Sequence, residues 1–225
     1  AQEIIDLHRR SYIKCASPLA NSQIQPASMD LRLSKKCWEV EASFLPGHKT
    51  VKQKLSKLKK RAIDISTFKT LKRGKIYIIE IQEELSLPGN ISAVANAKSS
   101  TGRLDILTRL ISDNSSCFDR ISKGYTGKVY VEIAPISFSI IIKEGIMLNQ
   151  LRFHNEQKVI TDRQLEKLNS KFNIVENVRQ IDNGITISVN LKSKKEEPNP
   201  FKTQMLERVF NRALTQALFQ GKKAI

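Results

Sequence analysis

Apolar residues along the chain recur mostly at alternate positions, in short runs rich in β-branched side chains, and this pattern predicts strands rather than long helices. Cys37 to Phe44 alternates in this way and ends at Pro46-Gly47. Lys75 to Ile81, Ile91 to Ala97, Lys128 to Ile133, Phe138 to Ile142 and Met147 to Phe153 read as further strands. Leu87-Pro88-Gly89-Asn90 has the chemistry of a turn, because Pro presets φ and Gly accepts a positive one. Ala20 to Ser34 reads as a loop leading into a strand. Many short strands with closely spaced turn residues predict a mainly β fold: a sandwich, jelly roll or barrel with a few inserted helices.

Period-3.6 patterning is confined to a few segments. Gln2 to Arg10 fits a short helix with Ile4, Ile5 and Leu7 available for burial. Val51, Leu55, Leu58, Ala62 and Ile65 follow each other at spacings of three and four, which predicts an amphipathic helix over about 50–62. Leu104, Leu107, Leu110 and Ile111 suggest a helical stripe as well. Further along, Val159 to Thr161 and Gly184 to Leu191 read as strands separated by a helix over 162–168. Composition then shifts to Lys, Glu and Pro over 192–200, a linker signal, and Phe201 to Phe219 fits an amphipathic helix. The expected organisation is a β domain over 1–191, followed by a linker and C-terminal helix over 192–225.

Composition adds constraints. At 225 residues, 40% hydrophobic and 27% charged, the chain is long enough and apolar enough to bury a core. No run approaches the roughly 18 apolar residues of a membrane span, and the opening residues resemble no secretion signal. Cys15, Cys37 and Cys117 are odd in number and lack CxxC spacing, which points to a reducing compartment, with the cytoplasm as the expected location. The net charge of +16 attracts polyanions. Its source is lysine-rich usage throughout the chain, with one dense run, Lys52, Lys54, Lys57, Lys59, Lys60 and Arg61, on the polar face of the expected helix. No aromatic residue is interleaved there to stack bases, so nucleic acid is not the expected partner.

Several chemistries are excluded by missing motifs. There is no HxE followed by PCxxC for a zinc deaminase, no P-loop and no GxGxxG, and the three histidines stand far apart. Three polar segments remain. Lys98-Ser99-Ser100-Thr101-Gly102-Arg103 offers hydroxyls, a glycine and two cations, a composition suited to phosphate at a helix N-terminus; helix capping by serine alone would not require Lys98 and Arg103 on either side, so the phosphate reading is favoured. Glu132 interrupts the apolar strand Val129 to Pro135 on the face of Tyr130 and Lys128. A desolvated carboxylate there can act as a general base, although on spacing alone an outward-facing glutamate fits better. Ile24 to Leu33 would be an extended entry into a strand, with Asp30 solvated or paired to an arginine.

Taken in order, IQPASMDLRL at 24–33, KSSTGR at 98–103, GYTGKVYVE at 124–132 and GIMLNQLRF at 145–153 resemble the deoxycytidine triphosphate (dCTP) deaminase family of the dUTPase superfamily. ASFLPG at 42–47 and the stretch 87–109 resemble its longer bacterial branch, in which one polypeptide carries two similar halves; this chain looks like a shortened form. The resemblance implies a distorted β jelly roll, a homotrimer with interfacial active sites, and hydrolysis of the cyclic amidine C–N bond of dCTP to give dUTP and ammonia. It implies Mg2+ travelling with the triphosphate and no zinc.

By the same resemblance, Glu132 is the catalytic base, Ser99 positions the water, and Arg103 orients the glutamate and offsets developing charge. Lys98 and Ser100, with Thr101 and Gly102, would meet the phosphates. Tyr130 and Val131 would present backbone groups to the base, Gln150 would face the nucleotide, and Asp119 matches an acidic residue before the third-motif glycine. Ser122 stands where a dUTPase has its water-activating aspartate, which favours deamination. The alternatives are a nucleotide-binding subunit with reduced catalysis and a bifunctional enzyme that continues to dUMP.

Overall fold

The computed structural model describes residues 1–155, 160–175 and 180–186. The first stretch belongs to one compact unit and the other two to a second. The first unit is mainly β. In chain order it contains α1 (Gln2–Arg9), β1 (Ile13–Lys14), β2 (Met29–Val40), α2 (Val51–Leu58), β3 (Lys59–Asp64), β4 (Lys69–Leu71), β5 (Ile76–Ser86), β6 (Ser92–Ala97), α3 (Ser99–Arg103), β7 (Ile106–Ser112), β8 (Arg120–Ile121), β9 (Thr126–Pro135), β10 (Ile140–Ile142) and β11 (Met147–His154). Among the described residues, no helix is long and apolar enough to cross a membrane.

Nine strands make one antiparallel sheet in the order β7-β9-β5-β2-β11-β6-β8, with β1 added to β5 and β3 to β2. Strands β4 and β10 form a separate pair. Asp119 stitches the two ends of the large sheet together. Its backbone N–H donates to Leu110 O at 2.9 Å on β7, and its carbonyl accepts from Ala95 N at 2.8 Å on β6. Its carboxylate also accepts from Leu110 N at 2.7 Å. Asp119 sits at φ 61, a left-handed conformation that Asp tolerates better than most residues. The seam leaves a nearly closed, barrel-like sheet.

Alternation then sorts side chains between two faces. Val129, Val131 and Ile133 of β9 point into the main core with Leu110, Ile79, Leu33 and Leu151. Tyr130 points the other way and packs with Val40, Phe44, Ile78 and Ile111 under Val51 and Leu55 of α2. Thr50 caps α2, its hydroxyl accepting from Gln53 N, and Asp113 accepts from Val51 N at 2.7 Å. Burying Val51 and Leu55 is worth about 1.5–3 kcal/mol each, enough to hold a two-turn helix that would not form alone.

The alternating pattern located the strands, but three segments differ from expectation. Strand β2 starts at Met29, inside the expected loop, and stops at Val40. The basic helix ends at Leu58, and Lys59 to Asp64 instead runs along β2, with Lys36 opposite Asp64 and Val40 opposite Lys59. The stripe Leu104 to Ile111 is not helical: Ile106, Thr108 and Leu110 face inward as a strand paired with β9 from Ile106↔Pro135 to Ser112↔Val129. Pairing on a neighbouring strand outweighs a short local pattern that fits either period.

In the second unit, residues 160–161 are not strand. Thr161 instead precedes α4 (Asp162–Phe172), whose Asp162 accepts from Asn183 N and Gly184 N. The expected strand over 184–191 falls mostly outside the described residues, and the linker and helix over 192–225 fall wholly outside them.

Candidate active site

Glu132 stands in the middle of β9, opposite Arg109 on β7 and Ile78 on β5. Only 1% of the residue is exposed. Both the Nε of Arg109, at 3.0 Å, and one terminal nitrogen, at 2.5 Å, donate to the same oxygen, Oε1. That terminal nitrogen also donates to Ser43 Oγ at 2.8 Å, and the guanidinium lies 4.0 Å from the centre of the Phe118 ring. The arginine is thus fixed from three sides, and its side chain, 31% exposed, caps the carboxylate. Oε2 of Glu132 is buried without any partner. A buried acceptor left empty costs free energy, and such groups are few in folded proteins.

Asp119 shares this electrostatic neighbourhood. Burial raises its carboxyl above the usual range; the Leu110 N–H and the Arg109 charge pull it down, and Glu132 pushes it up. The side chain of Asp119 helps hold the barrel seam. Tyr130 lies two residues before Glu132 on the same face. Its phenol is buried, and desolvation, with Glu80 nearby, raises its pKa. The backbones of Tyr130 and Val131 pair with β5 on one side and β7 on the other, so their N–H and C=O groups are engaged in the sheet rather than free for a base.

The remaining expected site residues gather elsewhere in the unit. Lys98 forms an ion pair with Asp30, which is 2% exposed, so a lysine takes the place of the expected arginine partner. Asp30 lies opposite Gln150, whose side chain accepts from Ser28 Oγ at 2.9 Å. Thr101 Oγ1 donates to Leu148 O at 2.9 Å and Lys98 N donates to the same oxygen at 3.0 Å, which pins the start of α3 to β11. Ser99, Ser100, Gly102 and Arg103 are exposed. The helix they form has five residues, too short for the dipole that a helix N-terminal phosphate site uses.

Among the described residues, no hydrogen bond or ion pair joins Glu132 to Ser99 or Arg103. Nor do three or more His, Cys, Asp or Glu side chains group there as a possible metal site. Sequence reasoning missed Arg109, Ser43 and Phe118. Arg109 carried a signal: it is a charge within the apolar stretch Leu107 to Ser112, just as Glu132 is within its own strand, and two buried opposite charges seek each other.

The model of the 2'-deoxycytidine 5'-triphosphate deaminase (DCD) N-terminal domain matches residues 1–157. The crystal structure of 2'-deoxycytidine 5'-triphosphate deaminase from Agrobacterium tumefaciens is 41% identical, with a TM-score of 0.72 over 76% of this chain and 52% of that one. A Beutenbergia cavernae protein named dCTP deaminase, dUMP-forming, is 26% identical over 139 residues, covering 60% of this chain and 68% of that protein. The chain therefore spans about half the length of the Agrobacterium protein.

Proposed function

The chain belongs to the dCTP deaminase family, and from that membership we propose that it hydrolyses dCTP to dUTP and ammonia, with Glu132 as the base. One observation carries this reading. A carboxylate sits almost fully buried in an apolar strand, one oxygen held by Arg109 and the other without a donor. The empty oxygen supports the reading because a general base needs a lone pair within reach of the proton it takes.

In the proposed reaction, water attacks the amino-bearing ring carbon while Glu132 takes a proton from it. That proton passes to the adjacent ring nitrogen as the tetrahedral intermediate forms; the second water proton, now on the new hydroxyl, is carried by Glu132 to the amino group, and the C–N bond breaks to release ammonia and leave the carbonyl of dUTP. Arg103 offsets developing charge and Ser99 positions the water. Ser100 and Gly102 border the phosphates, which arrive as the Mg2+ complex; Lys98 reaches them by leaving Asp30, and Gln150 faces the nucleotide. Two requirements follow. Glu132 is 1% exposed, so the residues around it must give way for substrate to reach Oε2. The α3 segment makes no hydrogen bond or ion pair with Glu132 within one chain, so a second copy supplies it, in keeping with a homotrimer whose sites lie between subunits. The cytoplasm is the compartment proposed with this activity.

A second reading, continuation to dUMP, is favoured by the dUMP-forming name of the Beutenbergia relative; Ser122, in place of an aspartate, speaks for stopping at dUTP. The test is incubation with dCTP and Mg2+, followed by chromatographic separation of ammonia, dUTP and dUMP. Wild type should release ammonia, and folded Glu132→Gln should not. Activity retained by Glu132→Gln would remove Glu132 as the base. Tight dCTP binding by wild type with no turnover would replace the enzyme with a binding subunit.

A further inference from the structure

The basic run from Lys52 to Arg61 takes no part in the proposed reaction. In the sequence it has no aromatic neighbour, yet the fold supplies one. Strand β2 carries Trp38, the chain's single tryptophan, onto the face covered by α2. A cavity of about 320 Å3 opens there, lined by Trp38, Lys36, Lys52, Lys59, Ser56 and Glu80. Lys36 pairs with Glu80 at 3.2 Å. Lys52 and Lys59 have no ion-pair partner among the described residues. Three lysines against one glutamate leave the lining with two uncompensated positive charges.

Two ammonium groups facing one cavity repel each other, and that cost is relieved when an anion enters. The half-buried indole offers a flat apolar wall suited to a planar ring, and stacking of a base on such a wall is worth about 1–3 kcal/mol. The cavity's size lies at the small end of the ~300–1,000 Å3 range of small-molecule pockets, which suits one nucleotide rather than a polymer. Together, a flat aromatic wall and paired cations describe a base and its phosphates.

We propose that this cavity is a second nucleotide site, distinct from the one at Glu132. The base stacks on Trp38 and the phosphates lie between Lys52 and Lys59. The site rests on geometry independent of the deaminase reading and stands whether or not dCTP is turned over.

Because Trp38 is the only indole, its fluorescence reports on this cavity directly. Titrating the full chain with dUTP should quench it saturably. The exposed Lys52→Ala/Lys59→Ala pair should fold normally by circular dichroism and weaken the measured affinity tenfold or more. Glu132→Gln should leave that affinity unchanged. The absence of saturable quenching, an unchanged affinity in the lysine double variant, or a loss of affinity in Glu132→Gln would each overturn the proposal. Tighter binding of a short oligodeoxythymidylate than of dUTP would overturn it too, in favour of a nucleic-acid contact.

Discussion

Replacing Arg109 with Met tests the Glu132 site most directly. Glu132 is 1% exposed, and its single occupied oxygen depends wholly on Arg109. At the observed 2.5 and 3.0 Å, a charge pair in an effective dielectric of about 20 attracts by roughly 6 kcal/mol, most of it offset by desolvation. Removing one partner leaves that desolvation uncompensated, which typically costs about 3–5 kcal/mol. The lost Ser43 hydrogen bond and Phe118 contact, each about 1 kcal/mol, fall within this range.

Urea unfolding followed by far-UV circular dichroism should therefore show Arg109→Met destabilised by about 3–5 kcal/mol at unchanged m-value. For a chain of this size, that corresponds to a drop in Tm of roughly 6–20 °C. In a Glu132→Met background the same substitution should cost about 2 kcal/mol or less, the worth of the Ser43 and Phe118 contacts, because no carboxylate is stranded. An Arg109→Met protein within about 0.5 kcal/mol of wild type, or equal costs in the two backgrounds, would falsify the stranded-charge argument.

Three further outcomes are expected. Glu83, fully buried, accepts from Arg32 Nε at 2.7 Å, Arg32 N at 2.9 Å and Gln23 Nε2 at 2.9 Å; Glu83→Gln weakens charged hydrogen bonds and should cost about 1.5–3 kcal/mol in urea unfolding. Asp119→Asn keeps an acceptor for Leu110 N and tolerates the left-handed backbone. The wild-type carboxyl is raised above its ordinary 3.8, so its contribution is fully present below that pH and is lost as pH rises through the folded value; urea midpoints should drift in favour of the Asn variant across that window, and parallel profiles would rule the effect out. Thr101→Val removes the bond to Leu148 O and should cost about 0.5–1.5 kcal/mol, with no change in thermal unfolding counting against the pinning of α3.

The sequence by itself determined which face each strand residue takes, because a strand's side chains alternate whatever lies next to it. The positions of β5, β6, β9 and β11 and the isolation of Glu132 among apolar residues were legible in that way, while the period-3.6 pattern located the start of the basic helix but overran its end. Tertiary structure decided the identity of neighbours. Whether Leu104 to Ile111 became helix or strand depended on β9 being there to pair with it, since eight residues fit both periods. That same register, joining positions 23 residues apart, put Arg109 against Glu132. The barrel seam at Asp119 and the meeting of Trp38 with Lys52 and Lys59 arose likewise from segments distant in sequence. Local patterning carries the direction of a side chain, but a partner across the sheet is fixed only when the strands choose their order and register.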